Sequence, residues 1–109
     1  VEKIADATEL AYSIFLRNSL EKDKIPTVRF NYSELLFQRK KYRLASDEYF
    51  KTAQNIKDEK IKHNASYFSI VSLESAVGDK WSDDDEERYL ILADFYLKNN
   101  KEKLFINKI

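Results

Sequence analysis

Across 109 residues the chain carries one glycine, Gly78, and one proline, Pro26. A β-rich chain of this length needs many tight turns, and turns draw on both residue types. Between these two positions, apolar residues recur every three or four places. That is the spacing of one face of a 3.6-residue helix. Together the two features predict an all-α fold. The clearest stretch is 27–57, which divides at the basic turn Gln38-Arg39-Lys40-Lys41. Before the turn, Phe30, Ser33 and Phe37 share a face, with Tyr32 and Leu36 beside them. After it, Tyr42, Ala45, Tyr49 and Ala53 do the same. Small residues at Ser33, Ala45 and Ala53 let a neighbouring helix come close. The rings of Phe37, Tyr42 and Tyr49 fill the space around that approach.

This pattern resembles the tetratricopeptide repeat (TPR) family. The family places a small residue in its first helix, an aromatic near the turn, then Ala and an aromatic four residues later. Ser33, Tyr42, Ala45 and Tyr49 stand at those places. Arg29 stands where the family often has Trp, Thr52 where Ala is usual, and Lys57 where a closing Pro is common. Leu10-Ala11 and Phe15 recur 34 residues later as Leu44-Ala45 and Tyr49, and 34 is the TPR period. The resemblance implies a right-handed solenoid of antiparallel helical hairpins, five to six helices in one domain, 1–109. Residues 1–21 then form the second helix of a partial repeat, 27–57 the central repeat and 58–98 a looser one. Residues 101–109 begin another helix. With no initiator Met and a start in mid-pattern, the chain is expected to be a piece of a longer array.

The same resemblance implies a function. TPR proteins bind a protein or peptide segment on the face lined by first helices. Laid on this chain, the family register puts Phe30, Glu34 and Gln38 on that face, and a shift of 34 adds Asn64, Phe68 and Ser72. The lysine-and-asparagine clamp of chaperone-binding members has no counterpart here, so a C-terminal carboxylate ligand is not expected. The degenerate long-helix repeats are similar to those of bacterial envelope lipoproteins that assemble outer-membrane proteins or coordinate envelope machinery. That favours the periplasm over the cytoplasm, and the absence of cysteine fits either. The expected role is a non-enzymatic scaffold or adaptor, with further repeats of the same chain among its partners. The alternative is a structural subdomain of a larger enzyme or regulator.

Local signals mark where helices start and stop. Pro26 suits a helix start, where its missing N–H is not needed. Asp58 is placed to cap a fourth helix running to about residue 77, and Gly78 to end it. Ser82 and Asp85 form a capping box before a fifth helix over 83–98, with Trp81 positioned as a staple. In the first helix, Ile4, Ala7, Ala11, Ile14 and Phe15 are expected to make the core stripe.

Chemistry finds little to build on. His63 is the single histidine and cysteine is absent, so neither a metal set nor a nucleophile, base and orienter can be assembled. No metal, cofactor or catalytic residue is expected. The run 83–87, Asp-Asp-Asp-Glu-Glu, lacks the alternating ligands and central glycine of a calcium loop. Its expected role is to complement the positive end of a helix. Lys plus Arg number 19 and Asp plus Glu number 19. That balance argues against a nucleic-acid partner, and Arg39, Lys40, Lys41 and Arg43 are expected to be solvated charge at a turn. No apolar run approaches the roughly 18 residues of a membrane span.

Overall fold

The computed structural model describes residues 2–99, which form five α-helices and one 3-10 turn without any strand. The helices are α1 (Glu2–Asn18), α2 (Ile25–Gln38), α3 (Tyr42–Asn55), α4 (Glu59–Val77) and α5 (Asp83–Asn99). The 3-10 turn, Lys22–Lys24, leads into α2, and Pro26 sits in the first turn of that helix. The helix expected over 101–109 lies outside the described residues. No described helix is long and apolar enough to cross a membrane.

The helix ends follow backbone chemistry. Asp58 accepts a hydrogen bond from the Ile61 N–H at 3.0 Å, closing the start of α4. Gly78 ends α4 at φ 70°, ψ −129°, a conformation costly for any side chain. Ser82 and Asp85 form the reciprocal box. The Asp85 N–H donates to Ser82 Oγ at 3.1 Å, and the Ser82 N–H to Asp85 Oδ2 at 3.3 Å. Trp81 is fastened beside it, donating from Nε1 to the Gly78 carbonyl and standing edge-on to Tyr89.

The end of α2 is less orthodox. Lys40 takes φ 63°. The Lys41 N–H reaches the Leu36 carbonyl and the Lys40 N–H reaches that of Phe37, the double bond of a Schellman motif. Glycine normally fills this left-handed position, where a Cβ costs about 1–2 kcal/mol. Glycine's extra unfolded-state entropy cancels about 0.5–1 kcal/mol of that cost. Lys40→Gly is therefore expected to stabilise the fold by about 0.5–1 kcal/mol, read as a rise in denaturation midpoint. A lower midpoint would show that the lysine side chain is needed there.

α3 lies at the centre. It buries Ala45, Ser46, Glu48, Tyr49, Phe50, Thr52 and Ala53, against α2 on one side and α4 on the other. The contact with α4 is lined by small residues, Ala65, Ser66, Ser69 and Ser72, all fully buried. Ser46 donates across it to the Ser69 carbonyl at 2.7 Å. Arg29 pairs with the buried Glu48, which also meets Lys51 at 3.3 Å. Thr52 turns its hydroxyl back to the Glu48 carbonyl, so it fits where Ala was expected. Contacts also skip one helix. Phe37 of α2 meets Phe68 of α4 at 5.9 Å, and Phe50 of α3 meets Phe95 of α5 at 5.3 Å.

α1 departs from expectation. Ile4, Ala7, Ala11 and Ile14 face outward, with Ile4 72% exposed. The helix docks on α2 through Tyr12 and Leu16, with Tyr12 6.0 Å from Tyr32. Spacing put Ile4, Ala7, Ala11 and Ile14 on one face correctly, but among the described residues nothing covers that face. Phe15, beside them, is half-buried. Ala11 is exposed although Ala45, 34 residues on, is fully buried, because among the described residues α3 has helices on two sides and α1 on one.

The basic turn holds α1 in place. Arg39 reaches Glu2, Asp6 and Glu9 at 3.1, 2.6 and 2.8 Å, and Lys41 reaches Glu9 at 2.9 Å. At the other end Arg43 pairs with Asp85 at 3.0 Å, and Arg88 pairs with Asp47 while lying over Phe50. These cations link helices rather than standing as solvated charge at a turn.

The acidic run opens α5, and its buried member is Asp85. Burial works to raise the Asp85 carboxyl, but bonds from Ser82 and the Arg43 charge outweigh it and hold the group below its ordinary value. The folded pKa is depressed, so its stabilising contribution is complete above the ordinary carboxylate range. It is lost as pH falls through the folded value, because the open state takes the proton first. The α5 start is expected to loosen on acidification below about pH 4, seen as faster exchange of the Asp85 and Glu86 amides. Asp85→Asn should remove that pH response; an unchanged response in the variant assigns it to another group.

Candidate functional site

α2 and α4 carry the six residues expected on the first-helix face. Phe30, Glu34 and Phe68 come together around one side chain, Tyr49 of α3. The Phe30 ring stands edge-on to it at 6.1 Å and the Phe68 ring stacks on it at 5.8 Å. The Glu34 carboxylate stands beside the Tyr49 hydroxyl. Burial first, and then the Glu34 charge, push that hydroxyl's pKa well above its ordinary value. Phe30 and Phe68 are half-buried and pack against the core, so they form the floor of the face rather than its edge. Gln38 is exposed at the last residue of α2, and Asn64 is half-buried one turn before Phe68.

Ser72 does not belong to this face. It is fully buried, on the line of small residues turned toward α3. The reason is a slip of one residue in the repeat. The buried set of α2, Tyr32, Ser33 and Leu36, recurs in α4 as Ala65, Ser66 and Ser69. That is 33 residues on (32 to 65, 33 to 66, 36 to 69), not 34. One residue is about 100° of helix rotation, enough to turn a surface position inward. At a shift of 33, the counterparts of Phe30, Glu34 and Gln38 are His63, Tyr67 and Val71.

Tyr67 is the residue that spacing missed. It is 48% exposed, edge-on to Phe68 at 5.5 Å and 6.2 Å from Tyr96 of α5. His63 lies 5.5 Å from the same Tyr96 ring. Aromatic contacts therefore run without a break from Phe30 through Tyr49, Phe68 and Tyr67 to Tyr96, crossing four helices. The sequence carried only a hint, Ser33 falling on Ser66 at a shift of 33, and burial decides the register. Both Asn-X-Ser triplets, at Asn31 and Asn64, lie inside helices with their serines buried. Among the described residues, no group of three or more His, Asp or Glu side chains is placed to hold a metal ion. Compared with protein families, curated proteins and solved structures, the chain matches none.

Proposed function

We propose that this chain is a non-enzymatic TPR-like interaction module, and that it binds a protein or peptide segment along α2 and α4. The observation that carries this reading is the aromatic floor of Phe30 and Phe68 on Tyr49, bordered by exposed Tyr67 and polar Glu34 and Gln38. The contacts of α2 with α4, and of α3 with α5, support a two-layer, solenoid-type arrangement in which first helices share one surface. An apolar floor with a polar border suits a segment read by shape, and zero net charge offers no long-range steering. Envelope assembly is the cellular setting that the resemblance suggests.

Tyr67 is the residue to change, because half of it is in solvent. Tyr67→Ser is expected to weaken capture of the partner segment about tenfold, the loss of a modest tyrosine hot spot near 1.4 kcal/mol. Affinity capture by the wild type and the variant, quantified at matched salt, checks it. A folded Tyr67→Ser protein that holds every partner at wild-type affinity sinks the face assignment. The second reading, a structural subdomain of a larger enzyme or regulator, is favoured by the uncovered side of α1, where Ile4, Leu10 and Ile14 are exposed. If only longer versions of the chain capture a partner, that reading takes precedence.

A further inference from the structure

α4 ends and α5 begins around one cleft. Its volume is about 400 Å³, and it is lined by Glu74 of α4, Trp81 of the connecting loop, and Glu86, Tyr89 and Leu90 of α5. The three α5 residues stand at i, i+3 and i+4, so they share one side of that helix. Trp81 is fixed in place. Its Nε1–H donates to the Gly78 carbonyl at 2.9 Å, and its ring stands at 88° to that of Tyr89, with centroids 5.6 Å apart. With the indole N–H already bonded, the two rings offer the cleft apolar surface and π-electron density. Glu74 and Glu86 are exposed beside them. The cations of α5, Arg88 and Lys98, are met by Asp47 and Asp94, and Arg43 of α3 is met by Asp85. Among the described residues no cation meets Glu74 or Glu86.

Rings and carboxylates together call for a cation, and they favour one kind. An ammonium is a compact, strongly hydrated charge that gives up water reluctantly to an indole face. A guanidinium is planar and weakly hydrated, stacks on aromatic rings, and presents a fork of N–H groups that fits a carboxylate. We propose that the cleft receives a guanidinium group, the arginine side chain of a protein segment. That the arginine is carried by a protein segment rests on the interaction-module reading above; the choice of guanidinium rests on the cleft itself. The guanidinium plane lies against the Trp81 ring, its N–H groups reach Glu74 and Glu86, and its methylene stem runs over Leu90. The first turn of α5 adds Asp83 and Asp84 to Glu86, so the local field attracts a cation although the net charge of the chain is zero. Because Trp81 is already held by its bond to Gly78, little ordering remains to be done on binding.

Trp81 is the one tryptophan of the chain, so its fluorescence reports the cleft directly in the full-length protein. The probe is a short peptide with one arginine between glycines, blocked at both ends. It is expected to change the Trp81 emission saturably, with Kd in the range of about 1–10 mM. The same peptide with citrulline, which keeps the shape and loses the charge, is expected to bind about tenfold more weakly, and the lysine peptide more weakly than the arginine one. The Glu74→Gln, Glu86→Gln double variant alters two exposed side chains and keeps both rings. It is expected to bind the arginine peptide about tenfold more weakly. No saturable change in that range, equal binding of the citrulline peptide, lysine binding as tight as arginine, or unchanged affinity in the double variant each overturn the proposal. No partner segment enters this titration, so its failure leaves the α2–α4 face standing, and failure of that face leaves the cleft.

Discussion

Tyr49→Ala is expected to cost about 3–5 kcal/mol of unfolding free energy, the usual range for emptying a large buried ring. Tyr49 is 1% exposed at the middle of the molecule. Its ring touches Phe30 and Phe37 of α2 edge-on, at 6.1 and 6.5 Å, and stacks on Phe68 of α4 at 5.8 Å. Each such pair adds about 0.5–1.5 kcal/mol beyond area burial. Small domains are stable by about 5–15 kcal/mol, so the loss removes a large fraction. Tyr49→Phe separates ring from hydroxyl. It keeps the packing, gives up the hydroxyl beside Glu34, and should cost about 1 kcal/mol. Guanidinium melts of both variants decide the matter: equal small losses would deny Tyr49 its central place. The hydroxyl adds an alkaline limit. Its folded pKa is raised, so its contribution is complete below about pH 10 and is lost as pH rises, when the unfolded chain ionises first.

Ala45→Leu is expected to destabilise by about 1–3 kcal/mol, through overpacking rather than lost contact. Ala45 has no exposed surface and shares a cluster with Tyr32 and Leu36 of α2 and Ala65 of α4. Three added carbons have nowhere to go unless α3 moves off its neighbours. Leu44 is the matched control. It is 46% exposed on the adjacent position, and Leu44→Ala should change stability by less than about 0.5 kcal/mol. Denaturation midpoints of the pair test the register of α3 directly. An unchanged midpoint for Ala45→Leu, or a larger loss for Leu44→Ala, means α3 is rotated from the placement described.

The features that were legible in the sequence are the ones settled locally. Asp58, Gly78 and the Ser82–Asp85 box define helix ends through bonds within four residues, and each was readable as a pattern. The end of α2 was not, because lysine gives no hint that it will adopt φ 63°. Periodicity showed which residues of α1 share a face, but not whether a neighbour would cover it. Ile4 and Ile14 look the same in sequence whether buried or outward. The candidate face was half legible. Phe30, Glu34 and Phe68 do meet, around Tyr49. Ser72 failed because serines at 66, 69 and 72 are too alike in size to pin a repeat to one residue. Burial, not spacing, distinguishes a shift of 33 from 34. The ion pairs of Arg39 were beyond reach, since they join positions more than 29 residues apart across a fold not yet known.

The way α1 is attached makes it a part whose docking answers to ionic strength. The helix has no fully buried residue, and Arg39 and Lys41 add ion pairs to the packing of Tyr12 and Leu16. The electrostatic screening length is about 8 Å at 0.15 M salt and about 3 Å at 1 M, comparable to the pair distances themselves. Apolar contacts among α2, α3 and α4 strengthen or hold under the same change. Added salt is therefore expected to weaken the ionic part of the α1 docking, while the packing of Tyr12 and Leu16 on α2 remains.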